Sequence, residues 1–412
     1  MKKIIIVGAG FAGLQTAKGL LTSSFEVTII DKNNYHLFQP LLYQVATAGL
    51  SPSDIAIPIR SIFHSQQNPK VVLDELIKIN PDINQIITKN SNYIYDFLVI
   101  ATGSEPSYFG HDQWKNFSPG LKNIEDATFV RAKILKAFEK AERIKNKNGL
   151  YKLMKFVLIG GGPTGVEMAG AIAELSKKVL TKEFASIDTK TAKIILLESG
   201  PNILPTASHS LSIYAKRTLE KLGVEVKCNT TVQKISEGII ETNTETIEAE
   251  TILWCAGVKA SPVKSWINVK TDEIGRVIVD KDLSVPGYPN VFVIGDASCV
   301  KNKNGKSLPG LAPVAKQEGK FVAEIIKQNA HNDKHQKKFY YKNRGYLATI
   351  GRSDAIVDFG WFTLKGRIGW IFWSIIHIYF LIGFRNRLIV FINWLWSYLT
   401  FSKGARLITD DK

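Results

Sequence analysis

The chain has 412 residues, of which 45% are apolar and 22% charged, and its net charge is +16 at neutral pH. This balance is typical of a globular protein and excludes a disordered one, and the length allows two or three domains. The three cysteines, Cys228, Cys255 and Cys299, are far apart, which argues against a disulfide framework or a redox-active dithiol. The seven histidines show no metal-ligand spacing. We expect no signal peptide, because the first strand is predicted to begin at Ile4, and therefore a reducing location.

Residues 1–31 have the order strand, glycine turn, helix, strand, acid that a dinucleotide-binding βαβ unit needs. An apolar run at residues 4–7 enters the turn, and a second run at residues 27–30 ends on Asp31. In such a unit the successive glycines form the tight turn, admit a pyrophosphate and let helix and strand pack closely. The helix start offers free N–H groups to phosphates, and Asp31 is placed for the ribose hydroxyls. The glycines are Gly8, Gly10 and Gly13.

Three further segments follow this unit. Residues 32–44 predict a loop and a short helix, in which packing roles are favoured for His36 and Tyr43. Residues 71–87 contain two β-like runs, which indicate a hairpin. A buried strand then ends on the small-residue turn 101–103, where the backbone can contact a ligand.

A helix is predicted for residues 123–144, with Asn123 as its N-cap. The polar residues 145–149 then indicate a linker.

The opening pattern recurs after this linker. A strand at residues 156–159 leads into a second glycine turn, a helix is predicted at residues 166–180, and a strand at residues 193–198 ends on Glu198. Two such units imply two dinucleotides, or one for each domain. Because Glu198 would repel a 2′-phosphate, NADH is favoured over NADPH. The second set of glycines is Gly160, Gly162 and Gly165.

Two polar residues each allow two interpretations. Glu167 could stabilise a helix N-terminus, or it could face the nicotinamide and the flavin and relay a proton. Gln317, one turn into a helix that opens at residues 311–319, could be solvated or could bind a ligand beside the flavin. Cys255, which lies between these two residues in the sequence, follows a predicted strand at residues 251–254. It is most simply a packing residue. A strand that ends on Asp296 would place this carboxylate at the ribityl or phosphate end of FAD.

The C-terminal part is basic and rich in tryptophan. From residue 331 on there are thirteen Lys and Arg against five Asp and Glu, and five of the eight tryptophans lie between residues 361 and 396. Apolar stretches at residues 368–384 and 388–401 are separated by two arginines, and each is at or below the low end of the roughly 17–25 residues of a membrane span. We therefore predict two helices that lie in one leaflet, with residues 366–401 on anionic lipid and no nucleic-acid partner. The alternative is a buried helical hairpin or dimer interface.

These blocks together resemble the type II NADH:quinone oxidoreductases, nearly from end to end. The match includes residues 36–43, 101–104, 160–167, 254–262 and 373–387. The resemblance implies an α/β fold with two Rossmann-like dinucleotide-binding domains, one for FAD and one for NAD, and a C-terminal helical membrane-anchoring segment. Along the chain it implies an FAD domain (1–115 and 283–330), a helical connection (116–150), an NADH domain (151–282) and a membrane-association and dimerisation domain (331–412).

The resemblance also implies site residues. FAD would be held by Gly8, Gly10, Phe11, Ala12, Gly13, Asp31, Lys32, Thr102, Asp296, Ala312 and Pro313. NADH would be held by Gly160, Gly162, Pro163, Thr164, Gly165, Glu198 and Gly257. Glu167 would lie between nicotinamide and flavin, and Gln317 would meet the quinone headgroup. The family has a glutamine where this chain has Pro313, so only backbone contacts to the flavin could survive there.

The implied activity is hydride transfer from NADH to non-covalently bound FAD, followed by transfer of two electrons to a membrane quinone without proton pumping. The implied protein is a homodimer on the cytoplasmic face of the cell membrane. Two alternatives remain: a sulfide:quinone-reductase-like flavoprotein, which would need paired cysteines such as Cys255 and Cys299, and a non-catalytic membrane-associated FAD/NAD-binding sensor.

Overall fold

Three stretches of the chain interleave to form each of two units. The computed structural model describes residues 1–21, 25–64, 69–144, 147–330, 337–401 and 403–408. The first unit consists of Met1–Leu37, Ile57–Glu105 and Val258–Asn343. The second consists of Phe38–Ala56, Pro106–Gly257 and Arg344–Lys412. Of the predicted linker, residues 145–146 lie outside the described residues.

These units differ from the predicted domains: Phe38–Ala56 lies in the second unit, and the chain changes unit after Glu105, at Val258 and at Arg344 rather than at residues 116, 283 and 331. The chain returns to the first unit at Val258, before the predicted residue 283, because Val263, Ile267 and Val277 are buried in the same apolar core as Val7. The C-terminal segment belongs to the second unit from Arg344 on, because its sheet and helices pack against elements of that unit.

A six-stranded sheet forms the centre of the first unit. Every residue of Phe97–Ile100 and all but the first of Lys3–Val7 are buried, as expected for central parallel strands that are covered on both faces. Only the outer pair at one edge is antiparallel. The strand order is Ser284–Val285, Tyr288–Val293, Phe97–Ile100, Lys3–Val7, Glu26–Asp31 and Lys70–Leu73.

Smaller elements complete the first unit. The predicted hairpin is present, but its first run splits: Lys70–Leu73 joins the central sheet, whereas Leu76–Asn80 pairs with Gln85–Thr88. The remaining strands are Tyr35–Leu37, Asn92–Ile94, Ser104–Pro106, Val258–Ala260, Val277–Ile278 and Ser298–Cys299. The helices are Phe11–Leu20, Ile59–Ile62, Val263–Trp266 and Ala312–Ala330, with 3-10 turns at Pro81–Ile83 and Gly295–Ala297.

The second unit contains a four-stranded parallel sheet and two antiparallel sheets. The parallel order is Val224–Lys227, Lys193–Leu197, Lys155–Ile159 and Thr251–Trp254. The antiparallel sheets are Val232–Ser236 with Ile239–Thr242 and Thr246–Glu248, and Tyr346–Ile350 with Asp354–Asp358 and Thr363–Lys365. Ala56–Pro58 is a short strand at the boundary.

Two helices of the second unit can be compared with the helix ends predicted from the sequence. The first, Ile124–Arg143, begins after Asn123, whose side chain accepts a hydrogen bond from the Asp126 N–H, so the predicted N-cap is confirmed. The helix predicted at residues 166–180 is Pro163–Glu174, continued by a π-turn at Leu175–Val179. The others are Leu42–Ala46, Pro52–Ile55, Lys147–Leu153, His209–Lys221, Gly366–Phe380 and Phe384–Thr400, with 3-10 turns at Gln39–Leu41, Asp112–Asn116, Leu180–Lys182 and Thr189–Thr191.

The two C-terminal helices break at a different place from the one predicted. The expected interruption at residues 385–387 is wrong: the break lies at residues 381–383, where Gly383 has a φ of 86°, and the two arginines occupy the first turn of the second helix. Large apolar side chains on one side of each helix are exposed, and we call them the exposed apolar face. They are Ile368, Ile371, Ile375, Tyr379, Phe384, Leu388, Phe391, Ile392, Leu395, Trp396 and Leu399. Among the described residues, no helix has the length and apolar character needed to cross a bilayer.

Candidate active site

The first glycine turn follows strand Lys3–Val7 and precedes helix Phe11–Leu20. Gly8 takes a φ of 99°, which favours glycine, and its N–H donates to the Ile30 carbonyl at 2.8 Å. A Cβ on Gly13 would clash with the Gly8 carbonyl oxygen, so only a glycine at this position allows the helix to lie against the turn. By contrast, a Cβ on Gly10 would meet no atom within 4 Å. The space at the helix N-terminus is therefore open to a phosphate.

The second turn has the same construction. Gly160 has a φ of 109° and donates to the Leu197 carbonyl at 2.8 Å. A Cβ on Gly165 would clash with the Gly160 oxygen, while one on Gly162 would meet nothing within 4 Å. Each unit thus carries one cradle that fits a dinucleotide pyrophosphate.

The acids at the strand ends hold these turns in place. One Asp31 oxygen accepts from the Ala9 N–H at 2.6 Å and the other from Asn33 at 2.7 Å. The Glu198 carboxylate likewise accepts from Gly161 and Gly200, both at 2.7 Å. Burial raises the pKa of Asp31, and the two backbone hydrogen bonds oppose this shift. Each acid therefore fixes its own glycine loop, and a ribose hydroxyl would share an oxygen that already accepts an N–H.

Two more of the predicted flavin residues form hydrogen bonds within the first unit. The Thr102 hydroxyl lies 2.6 Å from the Ser261 hydroxyl, directly after strand Phe97–Ile100. The Asp296 carboxylate accepts from the Ser104 hydroxyl at 2.6 Å. The structure thus keeps both groups at the carboxyl ends of neighbouring parallel strands, where open α/β sheets bind their ligands.

The other predicted flavin residues surround the same turn and the start of helix Ala312–Ala330. Phe11 packs edge-on to His36, Ala12 is buried, and Lys32 is exposed. Ala312 and Pro313 form the first turn of the later helix, where a residue needs no N–H for the helix ladder. The family departure at Pro313 is therefore compatible with an intact helix start.

His36 has a more specific place than the packing role predicted. It is 2% exposed, and its Nδ1 lies 2.8 Å from the Ala9 carbonyl oxygen. Burial lowers its pKa to about 4, so the neutral imidazole donates its Nδ1–H to the first glycine turn. The sequence signal that could have found it is a histidine five residues after the acid that ends the unit.

Glu167 lies in helix Pro163–Glu174, which follows the second glycine turn. Its carboxyl does not behave as a solvated carboxylate at a helix end. Burial raises its pKa to about 8, and the Thr349 N–H, 3.5 Å from one oxygen, opposes the shift only weakly. Burial raises the pKa of Tyr43 and of Tyr346, and the Glu167 charge adds to both shifts, so these phenols lie in its field. This half-buried carboxyl can hold a proton at neutral pH and release it slightly above.

Gln317, whose contact with a ligand beside the flavin stays a prediction, is half-buried and forms two hydrogen bonds to the backbone. Its amide donates to the Lys342 carbonyl at 2.9 Å and accepts from the Lys342 N–H at 3.0 Å. This pair of hydrogen bonds ties the backbone at Lys342 to helix Ala312–Ala330. A ligand that contacts the Gln317 side chain would have to share or displace them.

The remaining predicted residues lie around the second turn or are thiols. Pro163 and Thr164 begin helix Pro163–Glu174, and Gly257 follows strand Thr251–Trp254. All three cysteines are free. Burial raises the pKa of Cys255 to about 12, which keeps it a protonated thiol and disfavours dithiol redox chemistry.

Comparison with known proteins agrees with this geometry. The family model described as pyridine nucleotide-disulphide oxidoreductase matches residues 2–319, and the NDH2 C-terminal domain matches residues 343–401. The type II NADH:quinone oxidoreductase Ndh of Mycobacterium tuberculosis is 37% identical over 425 residues, which cover 100% of this chain and 91% of that protein. This chain belongs to the type II NADH:quinone oxidoreductases. The member from Staphylococcus aureus is 32% identical over 369 residues, covering 86% of this chain and 89% of that protein.

Solved structures place the fold in the same group. NDH2 from Plasmodium falciparum, solved in complex with NADH, matches with a TM-score of 0.90 at 23% identity, over 99% of this chain and 100% of that one. The sulfide:quinone oxidoreductase of Aquifex aeolicus matches with a TM-score of 0.75 at 20% identity, over 97% and 96%. The predicted fold class is confirmed, and the sulfide:quinone reductase is a more distant structural neighbour than the type II enzyme.

Proposed function

We propose that this chain oxidises NADH and reduces a membrane quinone, with FAD held at the first glycine turn and NADH at the second. The observation that carries the proposal is the duplicated cradle: two turns with the same hydrogen bonds, the same clash-limited glycines and the same open N-terminus. Membership of the type II oxidoreductases supports the assignment. FAD, when bound, supplies the chemistry that accepts a hydride and passes on two electrons.

The chain's own groups would bind, orient and protonate. The first turn and Asp296 would fix the flavin nucleotide, and the second turn would fix the coenzyme. Glu167, with a pKa of about 8, carries a proton at neutral pH at one of its carboxyl oxygens. We assign it the delivery of a proton during quinone reduction. The Gln317 amide could donate a hydrogen bond to a quinone oxygen, but in this structure it donates to the Lys342 carbonyl.

The acceptor side of the proposal rests on the exposed apolar face of the two C-terminal helices. Exposed isoleucine, leucine, phenylalanine and tryptophan at helical spacing suit a helix that lies in the membrane interface. The opposite side holds the helices to the protein: Trp373 is 1% exposed, and the Trp394 indole N–H donates to Gln44 at 2.7 Å. We therefore propose a peripheral, monotopic membrane protein that takes quinone from the lipid. The family resemblance adds two further parts to the proposal: attachment to the cytoplasmic face and a homodimer.

Coenzyme preference gives a first prediction. Because the Glu198 carboxylate would repel a 2′-phosphate, we expect kcat/KM for NADH to exceed that for NADPH about a hundredfold. In Glu198→Gln the repulsion is lost, and so is one of the two side-chain oxygens that accept the backbone N–H groups of Gly161 and Gly200. The preference should fall to within about tenfold, mainly through a higher KM for NADH. Initial rates with both coenzymes check this, and an unchanged preference would contradict the role of Glu198.

An anaerobic titration tests the proposed activity itself. The purified protein should show oxidised flavin absorbance, lose it on addition of NADH, and regain it on addition of a water-soluble quinone. Failure to bleach would remove the NADH:flavin step. Bleaching without recovery by any quinone would favour a sensor that binds both nucleotides without turnover.

A further inference from the structure

A basic cavity lies at the end of the second C-terminal helix, and its lining contains none of the residues assigned to FAD or NADH. Its volume is about 490 Å³, within the roughly 300–1,000 Å³ of small-molecule sites. Its lining includes Lys178, Lys182, Glu183, Thr400, Phe401 and Arg406. Three cations against one carboxylate leave a positive cavity.

The positive charge is only partly balanced among the described residues: the Glu174 carboxylate lies in the electrostatic field of Lys178, although the two form no ion pair. Glu183 is taken by Arg406, whose guanidinium lies 3.0 Å from it. In the part of the chain that the structure describes, neither Lys178 nor Lys182 forms an ion pair with a carboxylate. Both lysines are exposed, on the turns that continue helix Pro163–Glu174.

The nearby helix C-terminus does not explain these lysines. The last carbonyls of a helix attract cations, but here Arg352 already donates to the carbonyls of Ser397 and Tyr398 at 2.8 and 2.9 Å. The Arg352 guanidinium also lies 3.4 Å from the centre of the Phe401 ring, and the Lys178 ammonium lies 5.3 Å from it. Arg352 thus occupies two carbonyls of the helix end, so the exposed lysines can bind an anion from outside.

The position of the cavity identifies the kind of anion. Leu399, at the end of the exposed apolar face, is 68% exposed and immediately precedes Thr400, and Leu407, which is 66% exposed, immediately follows Arg406. Two of the lining residues are therefore next in the chain to exposed leucines. A phospholipid has this pattern, with a phosphate for the cations and acyl chains for the leucines.

We propose that this cavity binds the phosphate headgroup of an anionic phospholipid, with Lys178 and Lys182 as the main contacts. The inference rests on the proposed membrane attachment and adds a defined headgroup site to it. Attraction of a basic protein to an anionic surface needs only net charge, whereas a headgroup site requires these two lysines in particular.

Vesicle binding of the full chain separates these possibilities. The variant Lys178→Gln/Lys182→Gln is compared with Lys216→Gln/Lys221→Gln, which removes the same charge from helix His209–Lys221, outside the cavity. The wild type should bind phosphatidylcholine vesicles containing phosphatidylglycerol about tenfold more tightly than phosphatidylcholine alone. The cavity variant should lose this gain, and the control should keep it to within about twofold. An unchanged cavity variant, or equal losses in both variants, would overturn the proposal.

A short-chain lipid distinguishes the source of the phosphate and isolates the cavity from membrane attachment. Monomeric dihexanoyl-phosphatidylglycerol should bind the wild type saturably in calorimetry and the cavity variant at least tenfold more weakly. Inorganic phosphate that binds as tightly as this lipid would reassign the cavity to a free anion and overturn the lipid assignment. If the wild type binds no vesicle at all, the proposed attachment fails, yet the short-chain titration still decides the cavity. Equal melting temperatures show that the variants are folded.

Discussion

Replacing Glu167 with glutamine should lower kcat for NADH:quinone turnover about a hundredfold, at the low end of what a positioned acid contributes. The wild-type carboxyl holds its proton below its pKa of about 8, so kcat should be level at lower pH and fall about tenfold per pH unit above 8. The glutamine oxygen can still accept from the Thr349 N–H, but it has no proton to deliver. Profiles of kcat from pH 6 to 9.5, with saturating NADH and a soluble quinone, should therefore be flat for the variant.

The matched control is Glu174→Gln on the same helix. Burial raises the pKa of Glu174 as well, but its carboxylate accepts from the Arg352 N–H at 2.9 Å. Its removal should leave the fall in kcat above pH 8 in place. A variant Glu167→Gln that keeps that fall would show that another group titrates, and would contradict the assignment of Glu167.

The same carboxyl also makes a stability prediction that is independent of turnover. In the unfolded chain Glu167 ionises near 4.5, whereas in the folded protein it ionises near 8. Stability from this site is therefore fully present below about pH 4.5 and is lost as pH rises through about 8. Glu167→Gln, which has no charge to bury, should melt at a higher temperature than the wild type at pH 9 and at a similar temperature at pH 5. Scanning calorimetry at the two pH values checks the sign.

The sequence was sufficient for features whose signals are local. Each βαβ unit fits within about forty residues, and its glycine spacing, apolar runs and final acid are read directly along the chain. For the same reason the N-cap at Asn123 was predictable, because its partner Asp126 is three residues away.

The parts that were missed depend on contacts between distant residues. Gln317 is engaged by Lys342, twenty-five positions away, and no pattern around either residue indicates this. Val263 and Ile267 join the first unit because their side chains are buried with Val7, a match that only the folded core defines. Along the sequence the two arginines separate the C-terminal apolar stretches, whereas in the structure Gly383, with its positive φ, lies at the break between the helices.

The buried side of the C-terminal helices determines which experiment tests membrane attachment. Deletion of residues 366–412 is predicted to release the protein, but it also removes the buried Trp373 and Val390 and the packing of helix Gly366–Phe380 on strand Asp354–Asp358. Substitutions on the exposed apolar face avoid this loss. Ile375 and Leu399 are 60% and 68% exposed, so a charged side chain at either position stays in solvent when the protein is free.

We expect Ile375→Glu/Leu399→Glu to lower partitioning into anionic vesicles at least a hundredfold. A charged residue costs roughly 2.5–3.5 kcal/mol at the centre of a bilayer and less at the interface, so two such residues together reach about 2.7 kcal/mol, which is a hundredfold. Turnover with a water-soluble quinone should persist, whereas turnover with a long-chain quinone in vesicles should collapse, because only the latter requires the protein at the lipid. Sedimentation with vesicles and the two assays check this.

The control is Phe129→Glu, which places the same charge at a 52% exposed apolar position of helix Ile124–Arg143. It should sediment with vesicles like the wild type. If the double variant remains bound at both low and high salt, the exposed apolar face does not hold the protein to lipid. A halved mass of that variant in solution would then assign the face to the alternative, a contact between two copies of the chain. Loss of vesicle binding at unchanged mass would leave lipid as the partner. The eleven side chains cannot contact lipid while they are buried against a second copy, so attachment that depends on them requires the face to be free.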